Sequence, residues 1–171
     1  MKCRILLLIG IILVSYIALN AQDLKWMKKI KQVRLFSHSY DDVIRIMGKP
    51  IDGSDQRELS EYFDIDEGRV FVEFASGLCV VTPYSEGKPI GWKVPEWTAI
   101  SMSFTPNKPF NPRKLTFDTS GFRKYPVSDV PGAFVYENDE IGIDFSVTRK
   151  GKVGNVGFYP SSKFDHLRCT E

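Results

Sequence analysis

The sequence predicts an α+β fold, with N-terminal short helices packed on antiparallel three-stranded meanders and two pseudo-repeated units. Three observations carry this expectation. A capped apolar stripe with helical spacing runs over residues 39–50. Period-two alternation of apolar and polar residues starts near residue 58. The alternating pattern then recurs, as YFDIDEGRVFVEF and later as FVYENDEIGIDFSV. Helical spacing and strict alternation are the two signals that separate helices from half-buried strands.

Residues 1–21 read as a secretory signal peptide. Lys2 and Arg4 form a basic start, Ile5 to Leu19 carries no charge, and small Ala21 suits the last position before cleavage. An uncleaved anchor is the competing reading, since the uncharged run extends to Gln22, the bottom of the spanning range. Either way the remainder is expected to be exported, to a periplasmic or extracellular site. Removing Lys2 and Arg4 from 23 basic residues leaves 21 against 21 acidic ones. A neutral chain lacks the clustered charge that nucleic acid demands, so no nucleic-acid partner is expected. A membrane partner is expected only if the leader stays attached. Residues 22–106 are expected to form a helix-helix-meander unit and residues 107–171 a second meander with a C-terminal tail.

In residues 23–33, DLKWMKKIKQV, one helical face holds Trp26, Met27, Ile30 and Val33, with lysines elsewhere. The stretch reads as the cover of a core more than as a membrane-surface helix. Next comes SHSYDDVIRIMGKP. Tyr40, Val43, Ile44 and Met47 fall at i, i+3, i+4 and i+7, the stripe of a short buried helix. Ser39 suits the N-cap and Asp42 the acid of a capping box. Gly48 and Pro50 supply the stop. His38 is left without a structural task.

ELSEYFDIDEGRVFVEFAS reads as two strands turning at Asp66-Glu67-Gly68. A loop rich in Gly and Pro, TPYSEGKPIGWKVPEW, separates it from a third strand, TAISMSFTP. AFVYENDEIGIDFSV then forms a hairpin turning near Asn138 to Glu140, and KVGNVGFYP a further strand. Between the two patterns, residues 107–132 hold four prolines and little helical period, so the second unit is expected to lack helices.

Two cysteines remain after the leader, Cys79 and Cys169. An even count in an exported chain favours a disulfide. Closing a loop of about ninety residues stabilises by roughly 4–5 kcal/mol in the chain-entropy model. A thiol nucleophile at Cys169, three residues after His166, is the weaker reading.

The stretch S-Y-D-D-V-I-R-I-M-G-K-P resembles the helix signature of the SmpA/OmlA (BamE) family of small envelope proteins, in which a capped helix precedes a three-stranded antiparallel sheet. Ser39 matches the cap, Asp42 and Val43 the acid-Val pair, and Gly48 and Pro50 the closing signal. The resemblance covers residues 24–106. The tandem arrangement is similar to that of the β-lactamase inhibitor proteins, which duplicate a helix-plus-sheet unit. The resemblance implies an envelope role and a fold more than an activity. The lipid-modified cysteine of the family has no counterpart here, because Cys3 lies inside the leader and none stands near Ala21.

Chemistry is sparse. No G-x-S-x-G motif is present, and two distant histidines make a poor start for a metal site. DIDEG, residues 64–68, lacks the later ligands of a calcium loop. The paired acids Glu58 with Glu61 and Asp139 with Glu140 would serve glycoside hydrolysis only across a cleft. No catalytic residue, cofactor or metal is therefore expected. Aromatic residues are the one excess, at 13% with three tryptophans. Tyr84, Trp92 and Trp97 lie in a Gly- and Pro-rich loop where core residues are less expected, and are the candidate binding residues. The expected function is that of an exported non-catalytic binding or envelope-interaction protein. Its partner would be another envelope or secreted protein, with a sugar as the other candidate. The alternative is a secreted hydrolase using His38 or His166 with nearby acids.

Overall fold

A computed structural model describes residues 25–51, 59–77, 79–81 and 88–169. Its strands follow the alternating segments. They are β1 (Ser60–Ile65), β2 (Gly68–Phe74), β3 (Val80–Val81), β4 (Pro89–Ile90) and β5 (Ala99–Pro106). Then come β6 (Arg123–Pro126), β7 (Phe134–Asn138), β8 (Ile143–Val147) and β9 (Val153–Phe158). Helix α1 spans Lys25–Ile30 and α2 spans Tyr40–Met47.

The expected α+β arrangement of two helix-on-meander units is not what forms. Seven strands make one continuous sheet in the order β1-β2-β5-β9-β8-β7-β6, and β3 with β4 forms a separate two-stranded ribbon. All of the pairings are antiparallel. The third strands of the two expected meanders meet, with Met102, Ser103 and Phe104 opposite Phe158, Gly157 and Val156. The reason is a property of edges. Each isolated meander would leave one side of its third strand with open N–H and C=O groups, and two such edges satisfy each other. Helices are minor: α1 has six residues and α2 eight, and no helical layer covers each meander.

Register shows how the sheet sorts its side chains. Phe63, Val70, Phe104, Val156, Phe145, Tyr136 and Lys124 stand opposite one another in one rank across all seven strands. From Phe63 to Phe145 that rank is almost wholly buried, and at β6 it ends in exposed Lys124. The ammonium of Lys124 lies 3.7 Å from the ring centroid of Phe134, so a cation caps the edge of the core. The next rank, on the other face, is Tyr62, Phe71, Ser103, Gly157, Asp144, Glu137 and Arg123. One side is core and the other largely polar, as an antiparallel sheet permits.

Two kinds of segment cover the core face. Over the first half, Trp26, Met27 and Ile30 of α1 and Val43 and Met47 of α2 are buried, and Trp26 stacks on Phe104 with centroids 4.2 Å apart. Over the second half lies the proline-rich connection, whose Phe110, Leu115, Phe117 and Phe122 pack against the cluster. Phe117 and Phe122 both meet Phe145, at 6.1 and 5.4 Å between centroids. Aromatic side chains on a mostly irregular connection, with a 3-10 helix at Pro112–Lys114, thus seal this half of the face. The second unit, expected to lack helices, carries that turn and another 3-10 helix at Ser162–Leu167. The connection then adds β6 at the sheet edge, a strand absent from the expected pattern because all four of its residues are exposed.

Candidate functional site

The candidate site is set by how α2 begins. Ser39 has extended backbone, and its hydroxyl accepts from the N–H of Asp42 while the Asp42 carboxylate accepts from the N–H of Ser39, so the capping box is complete. The Ser39 hydroxyl, then its backbone N–H, hold the Asp42 carboxyl below the usual carboxylate range. The residues before the cap are stitched to β5. Phe36 N–H donates to Ala99 O at 2.8 Å and Ala99 N–H to His38 O at 2.9 Å, with Ser39 bridging Thr98. This stitching places Tyr40, at the start of α2, beside Trp97, just ahead of β5.

Trp97 is a bulky residue at φ 62°, in the left-handed region. Such a conformation costs on the order of 1–3 kcal/mol and persists only where the surroundings impose it. Here the Trp97 N–H donates to Ala75 O at 2.9 Å, and the Ala75 N–H donates to Thr98 O at 2.8 Å. The indole meets Tyr40 edge-on at 5.3 Å and Phe74 at 5.9 Å. Tyr40 in turn donates its hydroxyl to Glu61 at 3.2 Å, a carboxylate on β1 that is 1% exposed. Burial, then the Glu61 charge, push the Tyr40 phenol above its ordinary value, so it stays a neutral donor. Ser39, Tyr40, Asp41 and Trp97 together line an open notch of about 330 Å³. Two aromatic walls and an exposed carboxylate can hold a cationic or polyhydroxyl group.

Trp92 belongs elsewhere. It packs on Phe36 at 4.9 Å and under the Arg168 guanidinium at 4.8 Å, and Phe36 stacks on Phe164 at 4.5 Å. Backbone bonds from Lys93 to Leu167 and from Cys169 to Gly91 tie the same loop to the C-terminal tail. The Cys79–Cys169 disulfide locks that joint across a sequence separation of 90, which removes Cys169 as a nucleophile. Trp92 is therefore built into a structural seam, while Trp97 faces the notch. Tyr84 lies outside the described residues.

The remaining candidates have structural partners. His38 Nδ1 accepts from the Arg34 N–H at 3.3 Å and its own N–H donates to Arg34 O at 3.0 Å, which closes the turn ahead of α2. Ser39 is committed to Asp42, so no Ser-His-Asp relay forms there. His166 is exposed, with Nδ1 2.9 Å from Lys163 O. Asp64 pairs with Arg69 at 3.0 Å beside the 66–67 turn. Asp139 pairs with Arg123 and accepts from the Tyr159 hydroxyl at 3.1 Å. Glu58 lies outside the described residues. Among the described residues, no three His, Cys, Asp or Glu side chains gather to hold a metal ion.

Sequence reasoning missed a second hollow at the opposite end of the sheet. There the β6–β7 loop and the β8–β9 turn enclose about 690 Å³ with an apolar floor. Its residues come from segments far apart in the chain, and no local pattern marks them. Among the described residues, no helix is long and apolar enough to cross a membrane. No family model, curated protein or solved structure matches this chain.

Proposed function

We propose that this chain is an exported, non-catalytic binding protein that engages another envelope or secreted protein through the Tyr40–Trp97 notch. The observation that carries the reading is Trp97, held at φ 62° so that its ring walls an open notch beside the exposed Asp41 carboxylate. Unfavourable backbone kept at an open surface points toward function there. The lining suits a lysine or arginine side chain of the partner, which would meet an aromatic wall and a carboxylate together. Export is supported by the leader pattern over residues 1–21 and by the disulfide, which persists in oxidising compartments. The resemblance of residues 39–50 to the small envelope proteins of the SmpA/OmlA family supports the same setting.

In-envelope photocrosslinking tests the proposal. A photoreactive residue at position 41 should give a discrete protein adduct that the same probe at position 150 does not give. Asp41→Lys or Trp97→Ala, with thermal unfolding recorded for each, should abolish the contact. Identical adducts from both positions, or adducts untouched by Asp41→Lys, refute it. A hydrolytic activity that His38→Ala and His166→Ala abolish in folded protein would establish the enzyme reading instead.

A further inference from the structure

The 690 Å³ hollow lies at the end of the sheet remote from the notch, and its size falls within the roughly 300–1,000 Å³ usual for small-ligand sites. Its floor is Val127, Val130, Ala133 and Val147. Ala133 and Val147 are nearly buried, whereas Val130 is 39% exposed, so apolar surface is left open at the mouth. Both walls are closed turns. Val127 N–H donates to Ala133 O at 3.1 Å and Ala133 N–H to Val130 O at 3.0 Å on one side. Thr148 N–H donates to Lys152 O and Gly151 N–H to Thr148 O, each at 2.8 Å, on the other. The hollow is therefore preformed.

Its rim has one sign of charge. Arg149, Lys150 and Lys152 all line it. Gly132 lies against the Arg149 stem: a Cβ built there would stand 3.8 Å from Arg149 Cγ, so the stem closes the wall while the head stays at the rim. The Phe110–Val153 bridge brings the 107–114 segment, which carries Lys108, Arg113 and Lys114, to the start of β9, and its Pro109 lines the hollow. Across residues 107–114, 127–133 and 148–152 the only acid is Asp129, against six basic residues, whereas acids outnumber bases in the rest of the chain. None of those six basic residues makes a salt bridge among the described residues. Charge alone would fit any polyanion. Apolar floor and basic rim together fit a molecule with an alkyl chain and an anionic head.

We infer that this hollow binds a free single-chain anionic amphiphile of the fatty-carboxylate class, with the chain on the valine floor and the carboxylate among Arg149, Lys150 and Lys152. Calorimetric titration of the full mature chain with dodecanoate, kept below its micellar concentration, tests it. One saturable site is expected, with affinity rising about two- to fourfold per methylene from decanoate to dodecanoate. Dodecanol should bind about tenfold more weakly, and Lys150→Ala with Lys152→Ala should reduce dodecanoate affinity about tenfold while leaving dodecanol unchanged. Val130→Asp, at an exposed position, should abolish binding of both. Equal affinity for dodecanol and dodecanoate would overturn the inference. So would an unchanged affinity in Val130→Asp, or binding to phosphatidylglycerol vesicles without saturable binding of dispersed dodecanoate.

Discussion

Asp144→Asn should stabilise this protein at neutral pH, and the effect should fade in acid. Asp144 stands directly opposite Glu137 across the β7–β8 pair, on the polar face of the sheet. On its other side is Gly157, where a Cβ would lie 2.6 Å from the Asp144 carboxylate, so the side chain is folded down against the β9 backbone. Burial there raises the Asp144 carboxyl above its ordinary value; a backbone hydrogen bond from Gly157 opposes it, and the Glu137 charge adds a smaller push upward. The native state then binds the Asp144 proton more tightly than the unfolded chain does. Stability from this group is fully present below the unfolded carboxyl value and is lost as pH rises through the raised one. Like charges placed opposite each other cost about 0.2–1 kcal/mol, and partial exposure screens them. Adding the loss of an under-solvated charge, the Asn variant should gain about 1 kcal/mol at pH 7, or roughly 2–4 °C in melting temperature. Scanning calorimetry at pH 7, 5.5 and 3.5 should show that gain shrinking toward zero. Added salt at pH 7 should also narrow it. A gain independent of pH, or a variant less stable than the parent at pH 7, would refute the account. The second result would mean that the charge-assisted Gly157 bond lost in the variant outweighs relief from burial and repulsion together.

Replacing Cys79 and Cys169 together by serine should cost roughly 4–5 kcal/mol if the chain-entropy account holds, lowering the melting temperature by about 10–20 °C. Hydrogen exchange at the Lys93 and Cys169 amides, which cross the seam, should accelerate most, and a melting change under about 3 °C counts against the account. Gly68→Ala puts a Cβ 2.2 Å from Thr105 O, a backbone atom that cannot turn aside, and should cost about 3 kcal/mol in a denaturant titration. Gly48→Ala meets nothing within 4 Å, but φ 98° with ψ -169° is backbone open essentially to glycine alone, so it should cost about 1–3 kcal/mol through strain. Ser39→Ala removes the cap of α2 and should cost about 1 kcal/mol, whereas Ser39→Thr, which keeps the hydroxyl that donates to Asp42, should restore most of it, both read from thermal unfolding.

Several features of this molecule are legible in short stretches because short-range physics decides them. The capping box at Ser39 and Asp42 and the stop at Gly48 depend on a few consecutive residues. The turns at 66–67 and 139–142 depend on an acidic, glycine-containing stretch between alternating strands. The Cys79–Cys169 pairing was legible because only two cysteines lie beyond residue 21. His38 looked free because its partner is the backbone N–H of Arg34, which carries no side-chain signature. Alternation names the buried face of a strand but is silent about its neighbour. The β5–β9 pairing that fuses two meanders into one sheet, and the exposed edge strand β6, therefore had to await the tertiary structure. The same limit separated Trp92 from Trp97: one loop carries both, but the distant Phe36 and Arg168 claim the first, and Tyr40 and Phe74 frame the second. The basic-rimmed hollow needs turns that only the assembled sheet brings together. Local hydrogen bonding and periodicity act within a few residues, while sites are made where remote segments exclude water from a shared space.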